Sequence, residues 1–318
     1  MNTIIFKDKT YSLMADESIL RCFLRHGIDY PNSCQAGICQ SCLIKATDGV
    51  IDSFWQEGLP ETLKVQGYFL ACMATPATDM ELLSPDASEC DVDAKIIDIE
   101  RLSYNVLRLK LLVDNLADWV PGQYLNLINP NQVIRSYSIA NIPAQDGYIE
   151  LHIKSVDQGV MSQWLQKNVV IDTSIRLRGP FGTCYYFNPD KKSFDILLAG
   201  TGTGLAPLIG IIKSALSQGH QGAITLVHGG RIDDDIYYVE ELETLASVFK
   251  NVHYEPCVLR SQGRYPEASI DHRILAYLNN PNDTWVYVCG PKDTTNKLKT
   301  AVFLAGVPSK SIFSDAFL

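Results

Sequence analysis

The chemistry in this sequence starts with its cysteines. Cys34-Gln35-Ala36-Gly37-Ile38-Cys39-Gln40-Ser41-Cys42 spaces three thiols as C-x4-C-x2-C, and Cys72 follows after 29 intervening residues. Two irons bridged by sulfides need four thiolates converging on one small volume, and a tight loop can supply three of them. Gly37 permits the backbone angles such a loop needs, and Ala36 and Ser41 are small enough to keep it close. Zinc sites favour paired C-x2-C knuckles, whereas here one spacing is four and the last ligand stands alone. The spacing points to a [2Fe–2S] cluster on Cys34, Cys39, Cys42 and Cys72. Of the nine cysteines, the other five are scattered. Each reads first as a small buried hydrophobe, Cys22 among them.

Three runs follow in the middle of the chain. Arg135-Ser136-Tyr137-Ser138 closes a strand, Gly159-Val160-Met161-Ser162 opens a helix after the strand that carries His152, Ile153 and Lys154, and Arg178-Gly-Pro-Phe-Gly182 closes the segment. A glycine and a serine at a helix start offer backbone N–H groups to an anion. These runs resemble the flavin signatures of the ferredoxin–NADP+ reductase superfamily. The resemblance implies an arginine fork on the flavin pyrophosphate, the Tyr137 ring on the isoalloxazine, and Ser138 at the flavin N5 edge. It places Ser136, His152 to Lys154 and Gly159 to Ser162 in the same flavin site.

Gly200-Thr201-Gly202-Thr203-Gly204-Leu205-Ala206-Pro207 lies between a strand and a helix, where a glycine turn lets a pyrophosphate approach the backbone. It is not the GxGxxG dehydrogenase fingerprint and instead resembles the superfamily's GTGxAP turn. Cys289-Gly290-Pro291 follows the last expected strand. The resemblance puts the small, polarisable Cys289 thiol beside the nicotinamide C4 atom, from which hydride leaves. His228-Gly-Gly-Arg231 ends the second strand, where an adenosine ribose would lie. Arg231 reads as a contact there, and Asp233, Asp234 and Asp235 would oppose an added 2′-phosphate, so NADH is expected over NADPH. Phe317, near the end of the chain, is placed by the resemblance to cover the flavin ring.

The order ferredoxin, flavin module, nicotinamide module resembles the reductase components of multicomponent bacterial oxygenases, the benzoate dioxygenase reductase type, for which FAD is the usual flavin. That implies an oxidoreductase passing electrons from NADH through FAD and the cluster to a one-electron acceptor. The acceptor is expected to be an oxygenase component or a separate ferredoxin. Two alternatives stay open: a reductase of a sugar-deoxygenation system, which shares this module order, and a redox sensor or carrier that no longer oxidises NAD(P)H. Tyr137, Ser138 and Cys289 would stand nearest the reacting atoms, and no general-base triad is required.

These residues need three scaffolds. With 318 residues the chain has room for two or three domains. Polar stretches at Ser84 to Asp93 and Asn188 to Ser193 read as linkers. They suggest a ferredoxin domain over 1–86, a flavin domain over 92–190 and a nicotinamide domain over 193–318. The first has a hairpin, TIIFKD and TYSLMA, then a helix over Ser18 to His26 capped by Ser18, a small α+β arrangement; its cysteine segment resembles the plant-type ferredoxin domain, which implies a β-grasp fold. The second has short strands at 105–113, 124–128, 133–139, 148–156 and 175–178 and a helix at 160–167, which suggests a barrel or sandwich; the resemblance implies an antiparallel β-barrel. The third alternates strands at 194–199, 223–228, 252–259 and 285–289 with helices to about Ser217, at 239–249 and at 270–278. That pattern is a doubly wound parallel sheet. The net charge of −9 argues against a nucleic-acid partner. With no signal peptide or membrane span legible, a soluble cytoplasmic protein is expected.

Overall fold

The computed structural model describes residues 2–317 apart from 86–89, 118 and 189–192. Part of the first expected linker and most of the second therefore lie outside the described residues. Three five- or six-stranded sheets organise the chain. Among the described residues no helix is long and apolar enough to cross a membrane.

The first sheet contains β1 (Thr3–Phe6), β2 (Lys9–Ser12), β3 (Leu43–Asp48), β4 (Tyr68–Leu70) and β5 (Met80–Leu83), in the order β2-β1-β5-β3-β4. β1 pairs antiparallel with β2 and parallel with β5. Helix Ile19–Arg25 covers it, capped by the Ser18 hydroxyl, which accepts from Arg21 N–H. Ile19, Leu20, Cys22 and Phe23 turn inward onto Phe6, Tyr30, Leu43 and Phe69. Each such fully buried side chain contributes roughly 1.5–3 kcal/mol. Cys22 is thus core, as expected. The result is the β-grasp ferredoxin arrangement.

The second sheet contains β6 (Val92–Ser103), β7 (Val106–Leu112), β8 (Tyr124–Ile128), β9 (Ile134–Ser138), β10 (Ile149–Lys154) and β11 (Ser174–Phe181), in the order β10-β7-β6-β11-β8-β9. β7 pairs antiparallel with both β6 and β10. A bridge between Ile139 and Leu151 ties the residue after β9 to β10, closing the sheet toward a barrel. β6 begins at Val92, inside the expected linker. Asp91, just before it, is held by Arg176 at 2.8 Å and Arg178 at 2.7 Å.

The third sheet contains β12 (Asp195–Thr201), β13 (Ile224–Ile232), β14 (Val252–Arg260), β15 (Thr284–Pro291) and β16 (Ile312–Phe317). All pairings are parallel and the order is β14-β13-β12-β15-β16. Helices Leu205–Ser217, Val239–Val248, Ile270–Ala276 and Lys292–Leu304 connect the strands. Strand order reverses between β12 and β15, and in such sheets ligands bind outside the carboxyl ends at that reversal.

By compactness the chain forms two units. One comprises 1–93, 126–136 and 175–179, and the other the remainder. Segments 126–136 and 175–179, from β8 to β9 and within β11, belong to the first unit.

Candidate redox sites

The loop from Cys34 to Cys42 is built from tight, positive-φ turns. Gln35, Gly37 and Gln40 have φ of 52°, 76° and 56°. A side chain at Gly37 would also meet the Met73 sulfur at 3.0 Å. Two non-glycine residues in this conformation are strained, and the loop holds them because its backbone N–H groups turn inward. Ala36 N–H and Cys39 N–H each donate to Cys34 Sγ at 3.3 Å, Gly37 N–H donates to Cys72 Sγ at 3.3 Å, and Cys34 N–H donates to Cys39 Sγ at 3.4 Å. Gln40 Nε2 anchors the loop on the Gly58 carbonyl at 2.9 Å.

The four thiols stand as two hydrogen-bonded pairs, Cys34 with Cys39 and Cys42 with Cys72. The bond from Cys39, followed by backbone N–H groups, brings Cys34 down to about 5 despite burial. In the second pair the bond from Cys42 lowers Cys72, and the same bond with burial raises Cys42. Among the described residues no three His, Cys, Asp or Glu side chains gather as the ligands of one metal ion do. Two thiol pairs ringed by N–H donors suit two irons, and a thiolate-ligated cluster needs such donors. Ser41 Oγ is buried beside Cys39, where its hydroxyl favours the charged form of that sulfur. The residues present fit a [2Fe–2S] group. The loop's tip remains exposed, with Ile38 at 60%.

On the flavin strand, Arg135 is exposed, its guanidinium donating to the Ile134 carbonyl at 2.7 Å. The Ser136 hydroxyl donates to Asn126 Oδ1. Ser138 is buried and donates to Asp315 Oδ2 at 3.2 Å. Gly159 caps helix Val160–Lys167. The Ser162 hydroxyl bonds inside this turn, to the Val156 and Gly159 carbonyls at 3.2 and 3.0 Å. The turn is narrow: a Cβ on Gly159 would lie 2.7 Å from Ser162 Oγ. Met161 is buried beneath it, and Val160 is exposed. The exposed Arg135 guanidinium and the Gly159–Ser162 turn, each taken by itself, have the chemistry to hold a phosphate of a flavin nucleotide.

β10 sends its side chains three ways. Ile153 joins the core. His152 is buried between Glu150 and Tyr237, at 3.0 Å from each. Burial keeps its imidazole neutral, so the pair is a Glu150 carboxylate accepting from a neutral ring. Lys154 reaches out, its Nζ 4.0 Å from where a Cβ on Gly202 would be.

The glycine turn sits at the switch point of the third sheet. Gly200 is opposite Cys289 across β12 and β15. A Cβ on Gly204 would lie 2.3 Å from the Cys289 carbonyl oxygen, so only glycine fits there. Thr201, Gly202 and Thr203 line the same turn, and Ala206 and Pro207 are buried at the start of helix Leu205–Ser217. Gly290 has φ of 139°, which carries the chain past Thr201 to Pro291. The Cys289 thiol is buried 3.8 Å from that of Cys184. Burial, then the Cys184 bond, pushes it well above the usual thiol range.

Asp315 is the site residue the motifs missed. It pairs with Cys289 across β15 and β16 and takes the Ser138 hydrogen bond. The residue as a whole is half-buried but its carboxyl is the sheltered part, and that burial raises it to about 6 against the Ser138 bond. Ser138, Asp315 and Cys289 thus form one contiguous group. Phe313, Asp315 and Phe317, two residues apart, share one face of β16. Phe317 is half-buried opposite Pro291.

At the end of β13 the acidic run divides its labour. Asp235 accepts from Arg231 N–H at 3.0 Å, Arg231 Nε at 3.3 Å and the Tyr104 hydroxyl at 2.7 Å. Asp233 is buried and takes the Gln262 N–H at 2.9 Å. Asp234 stays exposed, 3.7 Å from Arg264. Arg231 is 69% exposed.

Three family models match in sequence: a 2Fe-2S iron-sulfur cluster binding domain over residues 3–77, an oxidoreductase FAD-binding domain over 93–186, and an oxidoreductase NAD-binding domain over 198–299. The ferredoxin–NAD(+) reductase component of the alkene monooxygenase system of Xanthobacter autotrophicus is 30% identical over 98% of both chains. The electron transfer component of toluate 1,2-dioxygenase of Pseudomonas putida is 27% identical over 95% of this chain and 92% of its own. Among solved structures, an Amycolatopsis cytochrome P450 reductase matches with a TM-score of 0.71 at 24% identity, covering 100% of this chain and 99% of that one.

Proposed function

The chain belongs to the ferredoxin–NAD(P)+ reductase components of multicomponent oxygenase systems, and from that footing we propose how its residues divide the work and where its electrons leave. The protein is an NAD(P)H-dependent oxidoreductase with FAD and a [2Fe–2S] cluster. When bound, the flavin accepts a hydride and releases single electrons, which the cluster hands on.

On our reading, Arg135 and the turn from Gly159 to Ser162 hold the flavin phosphates, with Tyr137 against the ring and Phe317 over it. Ser138 faces the N5 edge. The turn from Gly200 to Pro207 and Lys154 hold the dinucleotide pyrophosphate, and Gly290 and Pro291 shape the floor under the nicotinamide. Cys289 stays protonated and uncharged, so it can abut the ring at C4 without repelling or trapping the departing hydride. Asp315 orients the Ser138 hydroxyl and can hold a proton one hydrogen bond from the flavin edge. Arg231 meets the adenosine end with its charge already shared by Asp235, which favours NADH. The contiguity of Ser138, Asp315 and Cys289 carries this reading, because it joins the flavin strand to the nicotinamide turn through one carboxyl.

Electrons leave through the cluster to an oxygenase component, which docks over the exposed loop tip at Gln35 and Ile38, with the buried Gln40 anchoring the loop from behind. The test is Cys72→Ser. NADH should still bleach the flavin of this variant, while reduction of cytochrome c is lost. Unchanged cytochrome c reduction would refute the cluster's place at the exit.

A further inference from the structure

The flavin strand is linked to the cluster loop by two hydrogen bonds. Ser136 Oγ donates to Asn126 Oδ1 at 2.7 Å, and Asn126 Nδ2 donates to the Cys39 carbonyl at 2.9 Å. Asn126 is completely buried (0%) on β8, between the equally buried Leu125 and Leu127. A carboxamide in such a place is tolerated only when its polar atoms are met. Here both ends are met, one by the flavin strand and one by a cluster ligand. All three residues lie in the first compact unit. The chain therefore runs from Tyr137 to its neighbour Ser136, across Asn126, to the backbone of Cys39.

We propose that Ser136 and Asn126 form the route by which single electrons pass from the flavin strand into the cluster, entering at Cys39. The proposal rests on the assignment of Tyr137 to the flavin and Cys39 to the cluster. Electron transfer weakens steeply across through-space gaps. Two hydrogen bonds with separations of 2.7 and 2.9 Å bridge a gap that apolar side chains would leave at van der Waals distance. One electron crosses at a time: the reduced flavin loses it and one ferric iron becomes ferrous. No bond in the bridge breaks and no proton crosses it. Sequence motifs did not reveal this route, because Asn126 stands alone in an apolar strand.

The test uses the holoprotein with Asn126→Ala and Asn126→Leu. The leucine keeps about the side-chain volume but can neither accept from Ser136 nor donate to the Cys39 carbonyl. Three quantities are read: flavin bleaching by NADH, the subsequent rate of cluster reduction, and the potential and EPR spectrum of the dithionite-reduced cluster. We expect bleaching at the wild-type rate and cluster reduction slowed several-fold. The slowing should exceed what any shift in cluster potential accounts for. Wild-type cluster reduction in both variants would overturn the route. So would a slowing fully explained by a changed potential, since Asn126 would then tune the cluster rather than conduct to it. If Asn126→Ala does not fold with its cluster, the volume-matched Asn126→Leu decides alone. Failure of NADH to bleach the wild-type flavin would instead strike the nicotinamide assignment. The flavin-to-cluster step is then read after photoreduction of the flavin: a slowing beyond the change in potential supports the route, and a wild-type rate overturns it.

Discussion

Cys34 and Cys289 are both cysteines at a redox centre, and their surroundings treat them in opposite ways. Around Cys34 the bond from the Cys39 thiol, and after it the loop's N–H groups, draw the thiol down to about 5 and favour the thiolate a metal needs. Around Cys289 the sheet offers burial, a second thiol and a nearby carboxyl, which keep the proton on. One site needs negative charge and an exposed rim, and the other needs an uncharged wall and no water. The same side chain therefore serves metal ligation or hydride transfer according to what the backbone turns toward it. The two regions also differ in charge. Residues 1–93 carry fourteen acidic and six basic side chains, whereas 94–318 carry twenty-two and twenty-one.

The comparison breaks first at Gly204. Gly204→Ala puts a Cβ 2.3 Å from the Cys289 carbonyl. We expect NADH oxidation to fall about a hundredfold, while the EPR spectrum of the dithionite-reduced cluster is unchanged. Alkylation sharpens the contrast between the thiols. In protein stripped of its cluster, iodoacetamide at pH 7 should label Cys34 at least about tenfold faster than Cys289, as read by peptide mass. Equal labelling would remove the distinction.

A third effect concerns Asp315, whose carboxyl is raised from 3.8 to about 6. The unfolded chain releases this proton first, so between pH 4 and 6 folding loses stability, by at most about 3 kcal/mol. Asp315→Asn should abolish that loss, making the variant the more stable protein above pH 6 in urea unfolding. A variant that is less stable there would show that the carboxylate is not held at a cost. The smallest expected effect is electrostatic. Raising ionic strength from 0.05 to 0.5 M (values of the assay) should slow reduction of the basic protein cytochrome c about threefold, because screening weakens attraction to the acidic first segment. NADH bleaching of the flavin should not follow it.

Much of this was legible because some contacts are local in sequence. The cluster ligands, the glycine turn and the cap at Ser18 all lie within short runs, so their spacing encodes their geometry. Strands β7 and β10 announced themselves by alternation or continuous apolarity. β16 did not, because Ile312 to Phe317 is half-buried throughout and shows no period. Asp315 and Asn126 were missed for a related reason. Each acts through a partner more than eighty residues away, Ser138 in one case and Cys39 in the other. Such pairings become visible only when the strands are set in register. His152 shows the reverse: its motif suggests the flavin, while its ring is engaged by Glu150 and Tyr237. The strand around it is buried on both faces, so side-chain direction was not readable from alternation.

The claim that electrons enter at the protonated Cys289 wall and leave at the thiolate loop is tested most directly by an anaerobic NADH titration of the holoprotein. Visible absorbance follows the flavin while EPR follows the cluster. We predict that the flavin bleaches and the signal of the reduced [2Fe–2S] cluster then grows, with no other reductant added. Bleaching of the flavin with a cluster that stays oxidised would contradict it.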